Sequence, residues 1–230
     1  MLNLIRAELL KLRHQKGFYI LILFIFVVEI FRGTQLYGFT KDGLSCYDIY
    51  VHIASSTASM FYIGIFTGIF IGGAFSKRTY GMALFNGCPA SMVFFSKFIV
   101  YIIGVLIIWL VNSWTGAAVV SAQFGFMPHQ NSEAAWGILY NLTASSIASC
   151  VIIGCFYSLL AVCIKNVAGI IGAGYISYVI ADQTMFSNQN VNKIYDRFLY
   201  DIPVTITVTL IACVVLLTAS AIVFQKSEFK

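Results

Sequence analysis

Six stretches of this chain stay apolar for about the length that a helix needs to cross a bilayer, and this limits its fold more than any motif does. They cover about 18–38, 50–75, 98–124, 134–164, 167–184 and 203–225. A helix crosses the ~30 Å hydrocarbon core with roughly 20 apolar residues, so the fifth stretch is short. Composition agrees: 60% of residues are apolar and 10% are charged, whereas soluble domains carry about 25% charge. The expected fold is an all-α membrane protein with six transmembrane helices.

Charge gives the orientation. With the amino terminus inside, the inner segments hold Arg6, Lys11, Arg13, Lys16, Lys77, Arg78, Lys97, Lys165, Lys226 and Lys230 against Glu8 and Glu228. The outer segments and outer span ends hold Arg32, Lys41, Lys193 and Arg197 against Glu29, Asp42, Asp48, Glu133, Asp182, Asp196 and Asp201. A basic excess marks the cytoplasmic side, so both termini are expected in the cytoplasm. The same spread of charge excludes nucleic acid as a partner, because binding it takes a clustered basic stripe on a folded surface.

Residues 1–16 precede the first span. Leu2, Ile5, Leu9 and Leu12 make one apolar helical face, with Arg6, Arg13 and Lys16 near its edge. An interfacial helix on the cytoplasmic leaflet is expected, bending at Gly17 into the first span. No small-residue cleavage site follows, which argues against a signal peptide. On the outer side, 185–202 carries Tyr195, Phe198, Leu199 and Ile202 at helical intervals with Lys193 and Arg197, and is expected to lie in the outer interface.

The segment between the second and third spans, about 76–97, carries Lys77, Arg78 and Lys97 and no acidic residue. Tyr80, Leu84 and Phe85 recur at helical intervals, with Thr79 and Met82 among them. A short amphipathic helix follows from that spacing, suited to the membrane surface or to a groove on another protein. Asn86, Gly87 and Pro89 break it, and an apolar-aromatic turn from Met92 to Phe95 leads back to the bilayer.

Within the spans, Gly64, Gly68 and Gly72 repeat every fourth residue on the second. Such a ridge lets another helix approach closely, within one subunit, at a seam between two, or along a conduit. Glu29 and Arg32 share a helical face on the first span. Glu29 lies roughly 20 Å along the helix from Lys16, so it is either half of a self-neutralising pair near the outer headgroups or part of a translocation path. Asp182, near the outer end of the fifth span, raises the same alternatives. The six cysteines sit mostly in apolar runs and are expected to pack as small apolar residues. His14, His52 and His129 have no metal-ligand spacing. No GxSxG, HExxH or P-loop motif is present, so neither catalysis nor ATP binding by that route is expected.

The start MLNLIRAELLKLRHQKGFYILIL and the segment FIGGAFSKRTYGMALFNGCPASMVFFSKF resemble permease subunits of type-2 ATP-binding-cassette transporters, especially small bacterial ones that handle antimicrobial and cytolytic peptides. The resemblance implies that 1–16 is an elbow helix and 76–97 a coupling segment. Lys77, Arg78, Thr79, Tyr80, Met82, Leu84, Phe85 and Asn86 would then dock on a separate ATPase subunit. That subunit binds ATP and magnesium, this chain holds no cofactor directly, and two permease chains form the path for an amphipathic peptide. The implied location is the bacterial cytoplasmic membrane. Family members often carry an acidic residue where this chain has Ala74, and a Ser followed by Arg or Lys where it has Ala90, Ser91 and Met92. Rival readings are a same-fold permease for a small drug or ion, and a non-transporting immunity or sensor protein. Aromatic candidates for the path are Phe24, Phe31, Tyr37, Phe61, Phe66 and Trp109.

Overall fold

The computed structural model describes residues 1–39, 58–76, 87–124, 132–187 and 201–228. They form seven helices and, among the described residues, no strand. These are α1 (Leu2–His14), α2 (Lys16–Phe39), α3 (Ala58–Ser76), α4 (Ala90–Phe124), α5 (Ser132–Ile164), α6 (Val167–Ser187) and α7 (Ile202–Glu228). Four of them, α3, α4, α5 and α7, are long and apolar enough to cross a membrane. Helices α1 and α2 meet that test only together, as a pair bent by 58°, and α6 holds a shorter apolar stretch, Val167–Ala181.

Three of the helix boundaries have a local cause. Gln15 leaves the helical region, with φ −81° and ψ 99°, and its N–H turns back to the Leu12 carbonyl, so α1 stops one residue before α2 starts. Pro89 starts α4: its carbonyl takes the N–H groups of Met92 and Val93. Proline's fixed φ suits a helix start, where its missing N–H costs nothing. The expected apolar turn at Met92 to Phe95 is therefore the first part of a helix continuous with the third apolar stretch. Helices α5 and α6 are joined by Lys165, in the left-handed region at φ 54°, and Asn166, whose side chain caps α6 by accepting the Ala168 N–H at 3.1 Å.

Midway along α3, residues Gly68–Gly72 form a π-helical turn. Thr67, at its start, has its hydroxyl bonded to the Ile63 carbonyl and, at 2.7 Å, to the Tyr101 hydroxyl of α4. The helices pair as α2 on α4, α3 on α6 and α5 on α7, with α1 lying against α4. The main core is aromatic. Phe66 stacks on Tyr101 at 5.5 Å with the rings 7° apart, and on Phe70 at 5.5 Å. A second core gathers Ala74, Ala90, Val93, Phe94, Val162 and Phe224. Only 6% of the apolar window of α7 is buried. Along this helix Thr205, Thr207, Thr209, Thr218 and Ser220 donate their hydroxyls to carbonyls one turn back, which keeps them satisfied without water.

Candidate functional site

The strongest polar feature inside the apolar bundle is a layer that joins α2, α3 and α4. Glu29 of α2 is fully buried. Its Oε1 accepts from Arg32 Nη1 at 3.1 Å and from the Tyr62 hydroxyl of α3 at 3.3 Å, while its Oε2 has no partner among the described residues. One turn earlier on α3, Ser59 Oγ takes the Asn112 side-chain N–H at 3.3 Å. Asn112 Oδ1, Ser113 Oγ and Trp109 Nε1, all on α4, are buried and likewise without partners among the described residues. Ser59 and Tyr62 are three residues apart on α3, so one helix carries both the contact to Glu29 of α2 and the contact to Asn112 of α4.

A carboxylate in this position is costly. In an apolar interior a half-satisfied polar network is worse than none, because each bare atom keeps its desolvation penalty. Aromatic rings lie beside Tyr62. Phe24 and Phe61 lie 6.4 and 6.1 Å from Tyr62, and Phe61 continues to Tyr175 and Tyr178 of α6 at 6.0 and 6.1 Å. Phe24 and Tyr175 are exposed at the two ends of that chain of rings.

A second polar knot lies at the other end of the bundle. Glu8 of α1 accepts Lys97 Nζ of α4 on Oε2 at 3.1 Å, and its Oε1 is taken by Lys11. Burial pushes the Glu8 carboxyl up, but the charges and hydrogen bonds of Lys97 and Lys11 outweigh it and hold it below the usual carboxylate value. Lys97 Nζ also stands 4.8 Å from the centre of the Phe70 ring, in the π turn. Gln15, at the bend, donates to the Ile69 carbonyl in the same turn at 3.1 Å. Helix α1 is thus tied to both α3 and α4.

Between the two polar regions runs the glycine ridge. A Cβ at Gly64 would lie 3.0 Å from the Gly174 Cα of α6, one at Gly68 2.6 Å from Ile171, and one at Gly72 2.8 Å from Ile170. In this chain the ridge meets α6, and Tyr157 of α5 bonds Ser177 beside the crossing at 2.5 Å.

Of the residues singled out from the sequence, Glu29 and Arg32 come together on α2. Asp182 lies on α6, with its side chain outside the described residues. Lys77, Arg78, Thr79, Tyr80, Met82, Leu84, Phe85 and Asn86 lie outside them altogether, as do 188–200 of the expected outer segment. Phe66 stacks on Tyr101 in the main core, which also holds Tyr62 and has Phe61 packed against it. Sequence reasoning missed Ser59, Tyr62, Asn112, Ser113, Gln15 and the Glu8–Lys97 pair. Asn112 carried a signal, as an amide inside an otherwise apolar stretch. No protein-family model, curated protein or solved structure matches the chain.

Proposed function

We propose that the chain is the membrane-spanning permease subunit of an ATP-binding-cassette exporter. In this reading it has six spans, α1 is the elbow helix, and 76–97 is the coupling segment. The observation that carries it is the arrangement at the Lys97 end of the bundle. There α1, bent from α2 by 58°, is pinned by Glu8 to Lys97 and Gln15 is bonded to the π turn of α3, so α1 is fastened to the two helices that flank 77–86 in the chain. A displacement of that segment would pass to α1, α3 and α4 together.

Work is supplied from outside the chain. The sequence has no P-loop, so ATP and magnesium belong to a separate ATPase subunit, on which Tyr80, Met82, Leu84 and Phe85 dock with Lys77 and Arg78 at the rim. A second permease chain completes the path, and the cargo is an amphipathic peptide, moved outward across the bacterial cytoplasmic membrane by alternating access. The exposed apolar and aromatic side chains of α2, among them Tyr19, Leu23, Phe26 and Phe31, provide surface for lipid or for that second chain.

Co-purification with a candidate P-loop ATPase subunit tests the reading. The wild type is expected to hold the ATPase, and a Leu84→Asp, Phe85→Asp double variant to lose it. An unchanged complex would remove the docking assignment, and the lack of any ATPase partner would remove the transporter reading.

A further inference from the structure

We propose that α1 binds anionic lipid headgroups through Arg6 and Arg13, which makes the side of this helix turned away from the bundle a lipid-recognition surface. The two arginines are seven residues apart, so they share a helical face about 10 Å apart along the axis. Both are exposed, and neither has an ion-pair partner among the described residues. Their neighbours on α1 are engaged: Lys11 is taken by Glu8, Glu8 also holds Lys97, and His14 Nδ1 lies 2.8 Å from the Leu10 carbonyl. Exposed leucines flank the arginines on the helix surface, Leu2 and Leu9 on one side and Leu10 on the other, at 75%, 37% and 55%. Glu8 lies on the opposite side, where it meets α4.

Two points of α1 are level with the edge of the apolar layer. In its middle, Glu8 meets Lys97, beyond which α4 carries no charge as far as Phe124. At its end it passes through Gln15 and Lys16 into α2, whose exposed surface is apolar from Tyr19, Ile20 and Leu23 onward. With a turn of 58° between the two helices, α1 runs along that edge more than through it. A face that mixes leucines with these arginines suits neither water nor hydrocarbon alone. At the edge the leucines enter the acyl region, and each guanidinium meets a phosphate, whose oxygens accept its fork of N–H donors. A zwitterionic headgroup carries a cation of its own beside the phosphate, whereas an anionic one leaves its net charge to the arginine, and this selects the lipid class. The proposal needs the chain to be in a membrane but not to be a permease.

The test is native mass spectrometry of the full chain in a nonionic detergent, with equal amounts of phosphatidylglycerol and phosphatidylcholine of the same acyl chains. The wild type is expected to retain phosphatidylglycerol at least about tenfold over phosphatidylcholine, since each basic residue near an anionic surface supplies a factor of about five. The Arg6→Gln, Arg13→Gln double variant should lower that preference by at least about fivefold. Lys226→Gln removes a cation outside α1, two residues from Phe224, which packs with Ala90 and Phe94 at the same end of the bundle. It should lower the preference less than either single arginine variant does. Millimolar inorganic phosphate should not displace the lipid, because it brings no acyl chain to the leucines. The single arginine variants carry the comparison if the double one does not fold. No preference in the wild type, an unchanged preference in the arginine variants, an equal loss in Lys226→Gln, or displacement by phosphate overturns the proposal. Because the ATPase is absent, a failure here is distinct from a failure of the co-purification.

Discussion

Glu8 and Lys97, far apart in the chain, meet at 3.1 Å, with their side chains 13% and 8% exposed. This ion pair fastens α1 to α4, and the two lysines on Glu8 are not equivalent: Lys11 is 55% exposed and one turn away on the same helix, so it contributes little to the tie. Glu8→Gln would leave Lys97 buried without its counter-charge, a loss of roughly 3–5 kcal/mol for a fully buried pair. Lys97→Met removes the charge that needs pairing and keeps the apolar stem, so it is expected to cost clearly less. Thermal unfolding of the two variants in detergent micelles checks the order.

The same pair sets a pH dependence. Glu8 titrates below its ordinary value when folded, so its contribution to stability is fully present above the unfolded carboxyl value of about 4.3 and is lost as pH falls through the lowered folded value. The wild type is expected to lose stability on acidification below about pH 4, with Glu8→Gln flatter over that window. Melting temperatures of both forms between neutral pH and pH 3 provide the measurement.

At the glycine crossing the prediction is selective. A Cβ on Gly64 meets the Gly174 backbone at 3.0 Å, and backbone cannot swing aside, whereas a Cβ on Gly172 meets nothing within 4 Å. Gly64→Ala should therefore force α3 from α6 and cost about 1–3 kcal/mol. Gly172→Ala, in the same helix pair, should be neutral or stabilising by up to about 1 kcal/mol through helix propensity. Paired unfolding curves distinguish a built crossing from a general intolerance of added methyls.

What could be read from the sequence follows from the range of the interactions. The apolar stretches and Pro89 act locally, so the helices and the start of α4 have local signals. The depth of Glu29 and its pairing with Arg32 follow from helical spacing alone. Partners on other helices do not: nothing in the order of residues says that Tyr62 reaches Glu29, that Ser59 reaches Asn112, or that the Gly64 ridge meets Gly174. The π turn at Gly68–Gly72 was equally hidden, since its glycines suit a close helix crossing as well as a widened turn.

Two backbone positions make opposite predictions. Gly87 has φ 78° and open space around a would-be Cβ, so Gly87→Ala should cost about 1 kcal/mol through conformation alone. Lys165 adopts φ 54° with a side chain that disfavours it. Lys165→Gly should gain back up to about 1 kcal/mol there, less whatever its Nζ contributes at 5.7 Å from the Phe75 ring. Lys165→Ala loses the same cation and keeps the strain, so the difference between these two variants isolates the backbone term.

The coupling of Gly104 and Phe66 gives the sharpest test of the core. A Cβ on Gly104 would stand 2.3 Å from Phe66 Cζ and 2.6 Å from Cε1, and the Phe66 ring is already stacked against Tyr101 and Phe70. The ring cannot rotate away without leaving both partners, so Gly104→Ala should destabilise by about 1–3 kcal/mol. Phe66→Leu alone loses ring contacts and should also destabilise, by up to a few kcal/mol. Together the smaller side chain makes room for the methyl, and the double variant is expected to be more stable than the sum of the single losses by at least about 0.5 kcal/mol. Additive losses in a double-mutant cycle would mean that Phe66 does not lie over Gly104 and that α3 packs on α4 in another register.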